Sequence, residues 1–341
     1  MPEPLDALLD GTGQPGLVEL RAALRRLVGD DATVLSQRAI KPRVHRVRLA
    51  ASGGEWAVVL KRHDAVTARR NLLALRVWLP AVGLDRIGPA VLAIAADSAA
   101  GWAWHAYEDL GDGTLDGAGG DDPRVAAAAA LVAEVHGRSL DHPVLAHCRR
   151  RGAELGIGFF EASVREAAEW VERVQRTRPA GARAELCERL GARLARLIAD
   201  LPAHAEALER YGGPQTLLHG DLWKSNTFAV AANGGVRARL IDWDHAGVGP
   251  LAYDLSTFLS RFRAADRLAV FAAYRDAIER FGVQLPAPRE LERAFRTAEL
   301  GRLATCVEKP ALEVTETQAA WAWEELAARD AWFAALEPVL T

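Results

Sequence analysis

Apolar residues recur at intervals of three and four through residues 16–28, where Leu17, Leu20, Leu24 and Leu27 line one face of a predicted helix. The period then changes. Residues 32–35, 44–49 and 56–62 read as strands. Val47 and Leu49 share a side of the second, and the Ser52-Gly53-Gly54 turn leads into the third. Asp64 is placed to cap a helix reaching about residue 79, with Leu72, Leu75 and Leu79 on one face. After Pro89, residues 90–95 and 102–107 are two more strand candidates.

A polar, glycine-bearing stretch, residues 108–122 (EDLGDGTLDGAGGDD), breaks the composition and is the expected hinge. It divides the chain into a β-rich part, 1–107, and a helix-rich part, 123–341. Helices are expected over 123–138, 163–178 and 182–201, the last with Leu186, Leu190, Leu194 and Leu197 as its stripe. Residues 216–219, 227–230 and 236–241 interrupt this pattern as strands, and Asn233-Gly234-Gly235 is a hairpin signal joining the last two. Two or three helices fill 264–337. The expected class is α+β.

Composition narrows the field. With 50% hydrophobic and 26% charged residues the chain is globular, not disordered. A net charge of −3 gives no basic excess for nucleic acid or an anionic membrane. The longest apolar run, residues 125–133, falls far short of the roughly 20 residues a spanning helix needs. Cys148, Cys187 and Cys306 stand apart with no C-x-x-C pair, and the segment Met1-Pro2-Glu3-Pro4 is unlike a secretory signal, so a cytoplasmic protein is expected.

Residues 217–226 read LLHGDLWKSN and residues 240–244 read LIDWD. An apolar strand thus delivers His219-Gly220-Asp221, Asn226 follows five residues after Asp221, and a second strand ends at Asp242. Phosphoryl transfer needs these parts: a carboxylate to take the proton of an attacking hydroxyl, and an amide oxygen with a second carboxylate to hold Mg2+ against nucleotide phosphates. H-G-D alone is equally at home in an ordinary turn. The spacing to Asn226 and Asp242 tips the balance toward chemistry.

HGDLWKSN followed by IDWDHAGVGPLAYDLS resembles the aminoglycoside phosphotransferase and choline kinase-like family, over about residues 32–260. The resemblance implies a two-lobed protein-kinase-like fold, with a small β-rich N-lobe and a large helical C-lobe. It implies an ATP- and Mg2+-dependent small-molecule kinase that phosphorylates an alcohol group. Asp221 would be the catalytic base, and Asn226 and Asp242 the metal ligands. Lys61, closing the strand WAVVLK, would meet the α- and β-phosphates. The backbones of Glu108 and Leu110 would bind adenine, with the Glu108 side chain facing solvent. His219 would brace the loop and Asp254 would cap its backbone; Asp244 is either a second metal contact or a solvated carboxylate. Two features depart from the family pattern. Asn71 stands where the lysine's glutamate partner is expected, and the turn 38–43 contains no glycine, so that either Lys41 or Arg43 supplies charge to the phosphates or the turn is simply solvated.

A catalytically silent nucleotide-binding or regulatory module is the alternative, and a His219/Asp221/Asp242 metal hydrolase a more remote one. The acceptor is open. Residues 308–337 carry seven acids against two bases, which would suit a cationic acceptor or simply be a solvated helix face. Trp321 and Trp323 point to different sides of their helix, so at least one belongs to the core.

Overall fold

The computed structural model describes residues 3–97, 101–232 and 235–340. The chain forms two compact units, one of Met1–Gly117 with Lys224–Ala246, the other of Ala118–Trp223 with Gly247–Thr341. No helix among the described residues is long and apolar enough to cross a membrane.

The first unit is built on an antiparallel sheet of β1 (Glu3–Pro4), β2 (Thr33–Lys41), β3 (Val44–Ala51), β4 (Gly54–Asp64), β5 (Val91–Asp97) and β6 (Trp102–Glu108), ordered β1-β2-β3-β4-β6-β5. Side chains alternate across a strand, and the sheet sorts them by chemistry. Val47, Leu49, Val58, Leu60, Trp104 and Ala106 pack against Leu20, Leu24 and Val28 of α1 (Leu17–Val28). The intervening positions of β3, β4 and β6 place Val44, Arg46, Val59, Lys61 and Tyr107 around a cavity. β4 runs to Asp64, two residues beyond the expected strand, so Lys61 sits inside it, paired with Val44 on one side and His105 on the other.

Asp64 caps α2 (Ala65–Leu73), its Oδ1 accepting from the Val66 and Thr67 N–H groups at 3.0 and 2.9 Å. A π-helical turn, Ala74–Trp78, carries the chain on to Leu79–Ala81. The segment Lys224–Ala246 adds the antiparallel ribbon Thr227–Ala232 and Gly235–Leu240 to this unit. Asn233 and Gly234 of the expected hairpin signal lie outside the described residues.

The second unit is mainly helical. Ile157–Arg176, Ala182–Ala199 and the long Pro288–Thr317 enclose one apolar core, to which Leu186, Leu190, Leu194 and Leu197 contribute the expected stripe. A small sheet sets Gly247–Pro250 between Ala153–Glu154 and Gln215–Leu218. Gly247 is obligatory there: a Cβ would stand 2.3 Å from the Ala153 carbonyl oxygen. The chain is α+β, as expected, with a strand-rich first unit and a mainly helical second unit.

Candidate active site

Within the first unit a cavity of about 350 Å³ is lined by Lys61, Glu108, Leu110, Asn226 and Asp242 together. Ile40, Lys41, Val44 and Val59 supply part of its wall from the sheet, and Phe228 and Ile241 part from the returning segment. Lys41 therefore reaches the cavity without a glycine-rich loop: β2 and β3 turn tightly, with Lys41 already paired to Val44.

Lys61 donates to both Asp242 Oδ1 and Asp244 Oδ2, the latter at 2.7 Å. Burial would lower the lysine pKa, but the two carboxylates outweigh it and hold the ammonium above its ordinary value. The lysine's partners thus come from the end of the returning segment, not from α2. Asn71 of α2 donates instead to Asp244 Oδ1 at 2.7 Å and accepts from the Tyr107 hydroxyl at 3.2 Å. His63 Nε2 and His105 Nδ1 lie 3.1 and 2.8 Å from that hydroxyl, and His63 Nδ1 lies 3.4 Å from Asp244 Oδ2. Asp244 is buried in this network, which corrects the expectation of a solvated carboxylate. Burial pushes its carboxyl up, yet His63 and Lys61 together hold it well below the carboxylate range. Asp242 goes the other way, raised by burial and by the neighbouring Asp244. Burial, then the nearby His63, lowers His105 to about 3, leaving a neutral ring at physiological pH.

Asp242 adopts a left-handed backbone, φ 68°, a conformation that costs energy in a non-glycine residue and recurs at functional sites. Asn226 is buried, and its backbone carbonyl accepts from Ile241 N–H at 2.9 Å, tying the two motif segments together. An amide oxygen and a carboxylate on one cavity wall fit a hard cation that takes one or two protein ligands and the rest from phosphates and water. Among the described residues no group of three or more His, Cys, Asp or Glu makes a ready-built metal cage.

The Glu108 side chain is not simply solvent-facing. Arg239 grips it through both carboxylate oxygens at 2.7 and 2.9 Å, and Ala90 N–H adds a third bond at 3.1 Å. The hydrogen bonds from Arg239 lower its pKa more than partial burial raises it. Glu108 N–H is committed to the Ala90 carbonyl at 3.0 Å.

Asp221 belongs to the second unit. The strand Gln215–Leu218 delivers it through Gly220, whose φ of 82° is the reason for glycine at that position. Asp254, buried, accepts from the N–H groups of His219 and Gly220 at 2.6 and 2.9 Å, and His219 Nδ1 accepts from Asp221 N–H at 3.3 Å. Asp254 and His219 therefore shape the loop. The Trp223 indole N–H donates to Asp221 Oδ1. The Arg261 guanidinium carbon lies 3.5 Å from the centre of a Trp223 ring. Sequence reading missed this arginine, although it follows Asp254 by seven residues, two helical turns along the same face.

The acidic stretch is partly consumed in structural pairs. Asp330 lies between Arg189 at 3.0 Å and Arg193 at 3.4 Å, and Glu325 pairs with Arg329. Trp323 is core, whereas Trp321 is exposed.

A family model described as APH, phosphotransferase enzyme family, matches residues 35–292. No curated protein matches the chain. Among solved structures, the chain is similar to a Streptomyces rimosus aminoglycoside phosphotransferase in complex with ADP and streptomycin, at 20% identity and TM-score 0.53, covering 84% of this chain and 99% of that one. A Plasmodium vivax ethanolamine kinase gives 10% identity and TM-score 0.62, covering 94% and 89%. A Brachybacterium faecium macrolide 2'-phosphotransferase gives 20% identity and TM-score 0.56, covering 95% and 97%.

Proposed function

Because the chain belongs to the phosphotransferase enzyme family, we propose that it is an ATP-dependent kinase that phosphorylates an alcohol group on a small molecule. The observation that carries this reading is the cavity that gathers Lys61, Glu108, Leu110, Asn226 and Asp242. Adenine lies along the backbones of Glu108 and Leu110, and Lys61 meets the phosphates with charge-assisted hydrogen bonds. Asn226 and Asp242 would hold Mg2+, which supplies neutralising charge to the phosphate oxygens when bound. Residues 1–107 then bind nucleotide with help from the returning segment Lys224–Ala246, 108–122 act as hinge, and 123–341 serve the acceptor. The cytoplasm supplies the ATP.

In the reaction, Asp221 takes the proton of the acceptor hydroxyl. That oxygen bonds to the γ-phosphorus, the bond from phosphorus to the β–γ bridging oxygen breaks, and ADP leaves. The products are a phosphate ester, ADP and the proton released by Asp221. Trp223, donating to Asp221 Oδ1, holds the carboxylate in place.

Asp221→Asn keeps size and one acceptor oxygen but loses the charge. Its kcat should fall by about 10²–10⁴, equivalent to roughly 3–5 kcal/mol of barrier, with ATP·Mg affinity by calorimetry unchanged. Asp242→Asn should weaken both catalysis and Mg2+ dependence. An acceptor found by a phosphate-transfer screen allows both to be measured. If Asp221→Asn retains more than about a tenth of wild-type kcat, below the general-base range, another group takes the proton.

A further inference from the structure

Beside Asp221 the second unit holds a cation with two unpartnered nitrogens. Arg261 Nε and Nη2 are buried with no hydrogen-bond partner, and no carboxylate lies within ion-pair distance of its guanidinium among the described residues. Its neighbour Arg302, whose guanidinium is 5.7 Å from the same indole, is a different case. Arg302 is neutralised by Glu299, which also accepts from the Ser256 and Thr257 hydroxyls at 3.2 and 2.9 Å. That pair is complete within the protein, whereas Arg261 is not.

Buried polar groups nearly always find partners, and an exception calls for an absent partner. The electrostatics agree: burial, then the like charge of Arg302, lowers the Arg261 pKa to about 10. Stacking on Trp223 fixes the plane of the guanidinium. A planar fork held in one orientation matches an oxyanion and repels an ammonium. The ring beneath it is the one that donates to Asp221, so an acceptor bound at Arg261 has its hydroxyl near the candidate base.

We propose that Arg261, stacked on Trp223 beside Asp221, makes the enzyme selective for an alcohol that also carries an oxyanion, a carboxylate or a phosphate, over a cationic amino sugar. The selection rests on the reading of Asp221 as the base. The oxyanion takes no part in bond making: the hydroxyl proton goes to Asp221, and phosphorus exchanges the bridging oxygen of ATP for the acceptor oxygen. Within the acidic stretch 308–337, Asp330 is already paired with arginines from another helix.

The test uses two series of one carbon skeleton each: gluconate, glucose 6-phosphate, glucose and glucosamine; then glycerate, glycerol 3-phosphate, glycerol and 2-amino-1,3-propanediol. Each is titrated by calorimetry into the full chain loaded with a non-hydrolysable ATP analogue and Mg2+. In at least one series an acid member should bind about tenfold or more tighter than the amine, the worth of a charge-assisted bond; whether the carboxylate or the phosphate leads names the oxyanion. Arg261→Gln should abolish that preference and Arg261→Lys keep part of it, with nucleotide affinity unchanged in both. An arginine that merely packs on Trp223 would lower the melting temperature of Arg261→Gln and leave the preference intact, which overturns the proposal. So does a panel in which no acid outbinds its amine counterpart. Failure of the wild-type chain to bind the nucleotide, read before any acceptor is added, would instead overturn the kinase reading.

Discussion

Asn71 stands where the family resemblance led us to expect a glutamate for Lys61, and it acts at one remove. Its amide fixes Asp244, and Asp244 with Asp242 holds the lysine. Asn71→Leu would leave Asp244 Oδ1 and the Tyr107 hydroxyl each short of one buried partner. A buried group left unsatisfied costs about 1–3 kcal/mol, so the variant should lose that order of stability in urea denaturation. Its KM for nucleotide should rise as Lys61 loses its fixed position. Equal stability and KM would mean that Asn71 is passive. Asn226 and Asp242 were singled out by residue type and spacing and Lys61 by the family resemblance, and the structure brings the three to one cavity. The network behind them was not: Asn71 meets Asp244 across 173 positions, and Arg239 meets Glu108 across 131. No local pattern encodes such pairings, and the asparagine reads only as a missing glutamate until its partner is seen.

The helix that presents Asn71 depends on its first turn. Asp64 accepts from two backbone N–H groups and from the Thr67 hydroxyl at 2.9 Å. Asp64→Ala should cost about 1 kcal/mol, within the usual 0.5–2 kcal/mol for a lost N-cap, and appear as a lower denaturation midpoint at unchanged slope. A change within error would show that solvent replaces the cap. Helices with one buried face, α1 and the leucine stripe of Ala182–Ala199, were legible from periodicity, and β3 and β4 from the glycine turn that joins them. Elements without such a face were not. Ala252–Ser260 is buried through Leu259 on all sides and shows no stripe. Gly247–Pro250, reading GVGP, has the composition of a turn, yet pairs as a strand because its glycine admits the Ala153 carbonyl. The helix Ile157–Arg176 begins earlier than residue 163, since Gly158 and the paired phenylalanines blur its start.

At the scale of the chain, the first unit is discontinuous, with residues 118–223 intervening before its last piece arrives. A fragment ending at Gly117 would lack Asp242 and Asp244 for Lys61, Arg239 for Glu108, and the Leu240 N–H that bonds the Ile87 carbonyl at 2.8 Å. It should retain strand signal in far-ultraviolet circular dichroism but melt without a cooperative transition. A sharp melt near that of the full chain would show that the sheet and α1 suffice alone. During synthesis the same discontinuity imposes an order of events. At about 5–20 residues per second, the 106 residues from Ala118 to Trp223 take roughly 5–20 s to emerge. For that interval Lys61 is a cation in a sheet without its carboxylates, and the nucleotide cavity has no far wall. On the proposed reading, nucleotide capture waits until Asn226 and Asp242 have themselves emerged, and Asp221, which precedes both in the chain, is outside the ribosome by then.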